Sequence, residues 1–268
     1  MITQQTVANH LTIGNGTVTV GKVIKPGYVE VHGGTVTIEK VIDTDAALRG
    51  GIVTVEEVLE DGIVDVYDGT VTFKKVNAGA IVEVHGGTVT FEEVITGRCD
   101  AADHNDAEDG VTGYVLVLGG TVTFKKAIDT FGGVSVGGGT VTVEEVINKP
   151  GRVEVDGGAV TIERDIDARA ALRGGIVTIE EILDGDVDVY DGTVTFTKVH
   201  AGGSVAVHGG TVTFEEVITG RCDAADHNDA EDGVTGYVSV LGGTVTFKKA
   251  IDTFGGVRVD GDPITRAS

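Results

Sequence analysis

The chain has 268 residues, with 20 Lys and Arg against 42 Asp and Glu, so its formal net charge at pH 7 is −22. This charge opposes binding to nucleic acids and to anionic membrane surfaces, because both partners are negatively charged. No stretch of the sequence is long and apolar enough to span a bilayer. The composition fits a solvated acidic surface, a cation-binding protein or a salty environment.

A short strand phrase, x-Val-Thr, recurs twelve times along the chain and is usually written Gly-Thr-Val-Thr. The copies begin at Thr17, Thr35, Ile52, Thr70, Thr88, Thr121, Thr140, Ala159, Ile176, Thr193, Thr211 and Thr244. Nine of the eleven spacings are 17 to 19 residues and two are 33. A fixed short period is typical of solenoids, so the sequence predicts about twelve coils of 17–19 residues with two long insertions.

The chain also has a longer repeat of 123 residues, each copy of which contains several short repeats. We predict a single β-solenoid domain, 1–268, built from two tandem copies at 17–139 and 140–262. Residues 1–16 are predicted to form an N-terminal cap or half coil, and residues 263–268 a C-terminal cap. The two copies are nearly identical over part of their length: segments 86–134 and 209–257 differ only where Leu116 is replaced by Ser239.

Each short repeat alternates polar and apolar residues. In the copy that begins at Thr88, alternation places the two Thr side chains on one face and Val89 and Phe91 on the other. A second apolar-polar-apolar strand, such as 82–84, precedes it, and a Gly pair such as Gly86-Gly87 separates the two strands. Glycine suits corners where φ is positive or where backbones approach closely.

The charged dipeptide after each strand distinguishes two arrangements, a meander or sandwich of hairpins and a stack of coils. Glu56-Glu57, Lys74-Lys75 and Glu92-Glu93 alternate in sign, and Lys125-Lys126 still follows Glu92-Glu93 across the first insertion. Alternation is useful only if equivalent positions are neighbours, about 4.8 Å apart in a parallel stack. We therefore predict an all-β protein with a parallel β-solenoid fold, from which the insertions at 95–113 and 218–236 bulge out.

The Gly-Gly-Thr-Val-Thr repeats resemble those of right-handed parallel β-helix proteins, of the kind seen in autotransporter passengers, phage fibres and pectin-lyase-like enzymes. A left-handed hexapeptide helix also has 18 residues per coil, but the chain shows no six-residue subperiod of small and branched residues. The resemblance implies an elongated structural or surface-display protein. It favours an extracellular or virion-surface location, while the localisation itself stays open.

The insertion is the one segment where several ligand-type residues cluster. Five carboxylates, His104 and Cys99 lie within about twelve residues, and carboxylates in a flexible loop suit Ca²⁺. The predicted Ca²⁺ ligands are Asp100, Asp103, Asp106 and Asp109, with their counterparts Asp223, Asp226, Asp229 and Asp232. Two alternatives stay open: a short helix without metal, capped by Gly110, and a zinc or thiol site at Cys99 and His104.

Rows of outward Thr resemble the Thr-x-Thr surfaces of insect-type ice-binding proteins, so an ice-binding protein is the first alternative function. Thr also has a high propensity for exposed strand positions, which explains the rows without any ligand. A polysaccharide-active β-helix enzyme is a second alternative, but the chain has no Trp and its five Tyr are scattered through the sequence.

His32, His85 and His208 are interpreted as turn residues at a coil corner. No Ser-His-Asp, Walker or dinucleotide motif is present. The sequence thus predicts a non-enzymatic rod, such as a subunit of a fibre or filament. Its expected partners are further copies of the chain or other surface proteins. It predicts no nucleic-acid partner and no membrane insertion.

Overall fold

A computed structural model gives the fold. It describes residues 2–266 except for 43, 60, 78, 96–113, 127, 130–132, 146, 149–151, 167, 184, 201, 218–237, 250–256 and 260–264. All described regular structure is β-strand, and the strands form three parallel sheets, here named A, B and C. The predicted all-β parallel β-solenoid is confirmed.

Sheet A has 14 strands within the described residues, and each strand pairs in parallel with the strand of the next coil. In order across the sheet they are β1 Ile2–Val7, β3 Thr17–Ile24, β5 Thr35–Ile42, β7 Ile52–Val58, β9 Thr70–Phe73, β11 Thr88–Phe91, β14 Thr121–Phe124, β17 Thr140–Val143, β20 Ala159–Asp165, β22 Ile176–Ile182, β24 Thr193–Val199, β26 Thr211–Val217, β28 Thr244–Phe247 and β30 Thr265–Arg266. All twelve x-Val-Thr copies therefore form neighbouring strands of one sheet.

Sheet B contains the second strand of each coil, again with parallel pairing throughout. Its 13 strands in the described part of the chain are β2 His10–Ile13, β4 Tyr28–Val31, β6 Asp45–Leu48, β8 Ile63–Val66, β10 Ile81–Val84, β13 Tyr114–Val117, β16 Gly133–Val136, β19 Arg152–Val155, β21 Arg169–Leu172, β23 Asp186–Val189, β25 Ser204–Val207, β27 Val238–Val240 and β29 Val257–Val259. Sheet C is short: β12 Val94–Ile95, β15 Ile128–Asp129 and β18 Ile147–Asn148.

The core is a column of apolar side chains that point inward from sheets A and B. In β11 the pattern is the one expected from alternation, with Val89 and Phe91 buried, Thr88 exposed and Thr90 half-buried. Phe91 stacks between Phe73 and Phe124, with ring centroids 5.0 and 4.7 Å away. Burying such a side chain contributes about 1.5–3 kcal/mol, so the repeated inward positions account for much of the stability of the stack.

Glycine is required at the corner between a strand of sheet B and the next strand of sheet A. Gly87 has φ of +82°, and a Cβ built there would lie 2.6 Å from the carbonyl oxygen of Gly69 in the preceding coil. A side chain at this position would meet both backbone strain and a clash with a backbone atom. The corners of neighbouring coils therefore pack directly against each other through their backbones.

The long insertions do not interrupt the stack. Thr88 pairs with Thr121 although 33 residues separate them, and Thr211 pairs with Thr244 in the same way. The expected continuity of the charged rows is also confirmed, since Lys126 Nζ donates a hydrogen bond to Glu93 Oε2 at 2.9 Å.

The N-terminal segment is more regular than a half coil. Strand β1 pairs in register with β3, so that Thr3 lies opposite Thr19, and β2 pairs with β4. A coil with one strand in sheet A and one in sheet B therefore precedes the coil that begins at Thr17. The sequence does not indicate this coil, because Ile-Thr-Gln-Gln-Thr-Val lacks the Gly-Thr-Val-Thr motif and only Thr3 lies opposite a Thr of the next coil. At the other end, Arg266 falls opposite Phe247, as the repeat predicts.

One coil departs from regular register. In β20 the pairing with β22 shifts between Ile162 and Asp165, which leaves an extra residue on β20. Asp165 is buried, and its Oδ1 accepts a hydrogen bond from the backbone N–H of Leu183 at 2.7 Å. The backbone donor thus stabilises a carboxylate at a position where the first half of the chain has the buried Val41.

Candidate functional site

The eight Asp residues predicted to bind Ca²⁺ all lie in the insertions, outside the described residues. The same is true of Cys99 and His104, the predicted alternative zinc ligands. The predicted cation site is therefore still a prediction. The surfaces that the structure does describe are the outer faces of sheets A and B and the coil corners that join them.

The outer face of sheet A carries two rows of residues, one of them entirely Thr. The exposed row includes Thr17, Thr88 and Thr244 but is interrupted by Ile52, Ala159 and Ile176. The second row has Thr in every described strand of the sheet, and from Thr19 to Thr246 these side chains are half-buried. The positions are 3, 19, 37, 54, 72, 90, 123, 142, 161, 178, 195, 213, 246 and 265. The two interrupting Ile side chains are 59% and 63% exposed, so this face is mixed polar and apolar.

Charged residues line one side of the Thr rows and pair between coils. Lys74 Nζ donates to both carboxylate oxygens of Glu92 at 3.0 Å, and Lys75 lies 3.8 Å from Glu57. In the second half, Lys248 lies 2.7 Å from Glu215. Each such pair contributes only a few tenths of a kcal/mol in solvent, but the repetition fixes the register of the coils.

These pairs also explain the shifted acidities in the rows. A hydrogen bond from Asn77 and the nearby Lys40 and Lys75 lower the pKa of Glu57. Hydrogen bonds from His200 and Lys198 lower the pKa of Glu181, the equivalent residue of the second half. Lowered carboxyl pKa values keep both groups ionised at neutral pH, as a structural charge ladder requires.

The corners after some strands of sheet B carry stacked side chains that the repeat pattern did not predict. Tyr67 stacks on His85 with ring centroids 4.8 Å apart and planes 7° from parallel, and the Arg49 guanidinium lies 4.5 Å above the Tyr67 ring. Tyr190 and His208 repeat the stack at 4.8 Å and 9°. The Tyr residues are thus not all scattered, and these His residues are more than turn residues.

A row of acidic residues faces outward from sheet B next to this corner stack. Glu30 is paired there, because Arg49 Nε donates to its Oε1 at 2.6 Å and lowers its pKa. Asp65 and Glu83 lie opposite each other in neighbouring strands, and one ligand atom from each lies within 4.8 Å of the other and of a ring nitrogen of His85. Partial burial, followed by the charge of Glu83, raises the pKa of Asp65.

The period of the repeat could have indicated this cluster. Asp65-Val66-Tyr67 and Glu83-Val84-His85 occupy equivalent places 18 residues apart. Applying the same spacing to the outward positions of the second strand, and not only to Thr-Val-Thr, places Asp65 beside Glu83 and Tyr67 beside His85.

A groove of about 700 Å³ opens where the first coils turn from sheet A to sheet B. Its lining is Lys25, Pro26, Gly27, Tyr28, Thr44, Asp45, Asp61, Ile63, Gly79 and Ile81. Thr44 is buried there and donates a hydrogen bond from its Oγ1 to the carbonyl oxygen of Gly27. The groove combines two carboxylates, one amine and one phenol with apolar side chains, which suits a polar ligand with apolar faces.

The described residues include no helix of the length and apolar character that a membrane-spanning helix needs. Comparison with protein-family models, with curated proteins and with solved structures found no match to this chain.

Proposed function

We propose that the chain is a non-enzymatic structural rod or surface-display module, such as a subunit of an extracellular or viral fibre. The strongest support is the ladder of sheet A, in which the 14 described strands pair in parallel one after the other, with a single register shift in β20. At about 4.8 Å per coil this ladder extends for roughly 60 Å. A continuous core with charges paired along its surface provides length and stiffness, which are the properties that a rod needs.

Electron microscopy of the purified chain tests this proposal, together with sedimentation velocity. We expect elongated particles about 60 Å long, or filaments whose length is a multiple of that value. Compact particles with a low frictional ratio would contradict a rod. A screen with polysaccharide substrates tests whether the chain is non-enzymatic, because depolymerisation would support the glycan-active alternative. In the described part of the chain, the groove beside Tyr28 and Asp45 is the candidate location for such an activity.

The acidic insertions are proposed to add two Ca²⁺ sites to this rod, through the eight Asp residues named above. Clustered carboxylates repel one another unless a cation neutralises them. Calorimetric titration of metal-stripped protein with Ca²⁺ should give two equal sites, and a hundredfold excess over Kd should raise stability by about 2.7 kcal/mol for each site. Absence of binding heat, with an unchanged melt in chelator, would favour the helical alternative.

Ice binding is the second candidate function, and the unbroken Thr row of sheet A favours it. Regular hydroxyl and methyl groups repeat there at the strand spacing of about 4.8 Å. The interruptions at Ile52 and Ile176 and the adjacent charged rows act against an ordered water layer. The test is to measure thermal hysteresis of the unchanged chain and of two variants. Thr90→Tyr changes this face, and Ser135→Tyr on sheet B is the matched control. Activity that only Thr90→Tyr removes would make ice binding the better proposal.

A further inference from the structure

We propose that Asp65, Glu83 and His85 form a binding site for a divalent transition metal, with Zn²⁺ as its representative. The site would lie on the outer face of sheet B in the first half of the chain. It is separate from the acidic insertions and does not depend on the proposed rod function.

The geometry of the three side chains is close to that of a metal site. Glu83 Oε2 and His85 Nε2 lie 3.6 Å apart, and the ligand atoms of all three residues lie within 4.8 Å of one another. Ligands at about 2.0–2.2 Å from a tetrahedral Zn²⁺ are roughly 3.3–3.6 Å from each other. A small rotation of the Asp65 side chain therefore completes the set, and water would fill the fourth position.

The backbone and the corner stack hold these ligands in place. Asp65 and Glu83 are opposite residues of the paired strands β8 and β10, so their separation is fixed by the ladder. The His85 ring stacks on Tyr67, which restricts its orientation while Nε2 faces Glu83. The Glu83 and His85 side chains are 29% and 32% exposed, so a metal would be partly shielded but could enter from solvent.

The charges around the cluster also favour a cation. Glu30 and Glu154, on the same face, are each paired with an Arg, at 2.6 Å from Arg49 and 2.5 Å from Arg152. In the described part of the chain, neither Asp65 nor Glu83 forms an ion pair with a Lys or Arg. Two carboxylates in register repel each other at this spacing, and a bound cation removes that repulsion.

The ligand types select the metal. An imidazole with two carboxylates suits Zn²⁺ and neighbouring transition metals better than Ca²⁺, which prefers an all-oxygen shell. The second half of the chain lacks one ligand: Asp188 and His208 are present, 3.6 Å apart, but Ala206 stands where the first half has Glu83. Among the described residues we therefore infer one such site.

This asymmetry provides matched variants. Glu83→Ala gives the first half the residue that the second half already accommodates, so it should fold, and Ala206→Glu builds the missing ligand into the second half. Glu154→Ala removes a carboxylate from the same face without touching the cluster. None of these substitutions lies in the insertions, so the insertions contribute equally to every variant.

The experiment is calorimetric titration of the metal-stripped full-length chain with Zn²⁺. We expect Glu83→Ala to lose one equivalent, or to bind it at least tenfold more weakly, since even loss of a residue that only supports a ligand costs 10–100-fold. Ala206→Glu should gain one equivalent, and Glu154→Ala should match the unchanged chain. Equal stoichiometry and affinity for Glu83→Ala and the unchanged chain would overturn the proposal. No gain for Ala206→Glu would refute the claim that these three side chains suffice.

Discussion

Phe91 and Phe214 occupy equivalent places in the two halves of the chain, and each stacks between two further Phe rings. The centroid distances are 5.0 and 4.7 Å in the first half and 5.0 Å on both sides in the second. The core is therefore repeated almost without change. An inward side chain meets its own copies above and below, so any change of size affects two neighbouring coils.

The outer surfaces of the two halves differ more than their cores. Differing pairs next to charged groups include Glu83 with Ala206, Asn77 with His200, and Lys74 with Thr197. Outward side chains have fewer constraints from packing, so they can change without disturbing the stack. The comparison indicates that binding sites in this molecule lie on the outer faces, where a site can be present in one half and absent from the other.

The largest expected effect tests whether the two cores are equivalent. Phe91→Ala and Phe214→Ala should each lower the free energy of unfolding by about 3–5 kcal/mol, because each leaves a cavity between two stacked rings. Urea denaturation measures both variants, with the outward Thr90→Ala as the control. A difference of more than about 1 kcal/mol between the two Phe variants would show that the halves are not equivalent in packing.

Reversal of one charged row has the next largest effect. Changing Lys74 and Lys75 to Glu places three acidic pairs in succession, from Glu56 to Glu93, and removes the 3.0 Å contact with Glu92. We expect a loss of about 0.5–2 kcal/mol that becomes smaller at high salt. Lys74→Thr, which copies the second half, should cost less than about 0.5 kcal/mol. Melting temperatures that do not change at low salt would contradict a role for the row in holding the register.

The parallel stack was predictable because this row encodes which coils are neighbours. The alternation of Lys and Glu has a physical use only in register, and Lys126 with Glu93 bears this out across the insertion. The corner stack was not predicted, because Tyr67 and His85 are different residue types and do not form a repeated sequence motif. The shift at Asp165 was also hidden, since a bulge arises from the balance of backbone pairing and one buried carboxylate.

The lowered carboxyl pKa values give a pH-dependent prediction. The folded-state pKa values of Glu57 and Glu181 are below those of the unfolded chain, so each carboxylate stabilises the fold above about pH 4.3. This contribution is lost as the pH falls through the folded-state values. Glu57→Gln and Glu181→Gln should each lower the free energy of unfolding by up to about 1 kcal/mol at pH 7. The difference should vanish at a pH where the glutamate is protonated in both the folded and the unfolded chain. Unfolding curves from pH 7 to pH 3 check this, and a cost that persists at pH 3 would mean that packing, not charge, is responsible.

The smallest expected effect concerns the face where the halves differ in charge. Without metal, Asp65 and Glu83 are like charges opposite each other in parallel strands, whereas Asp188 faces the neutral Ala206. In chelator, Glu83→Ala should therefore raise the free energy of unfolding by about 0.2–1 kcal/mol, and Ala206→Glu should lower it by a similar amount. Thermal melts measure both, and both effects should shrink at high salt, since a general effect of Ala or Glu on the strand depends on propensity and not on ionic strength. Saturating Zn²⁺ should reverse the order for both substitutions, because a metal that binds only the folded chain stabilises whichever variant has all three ligands. A stabilisation by Glu83→Ala that is the same in chelator and in Zn²⁺ would leave repulsion between carboxylates as the only role of this cluster.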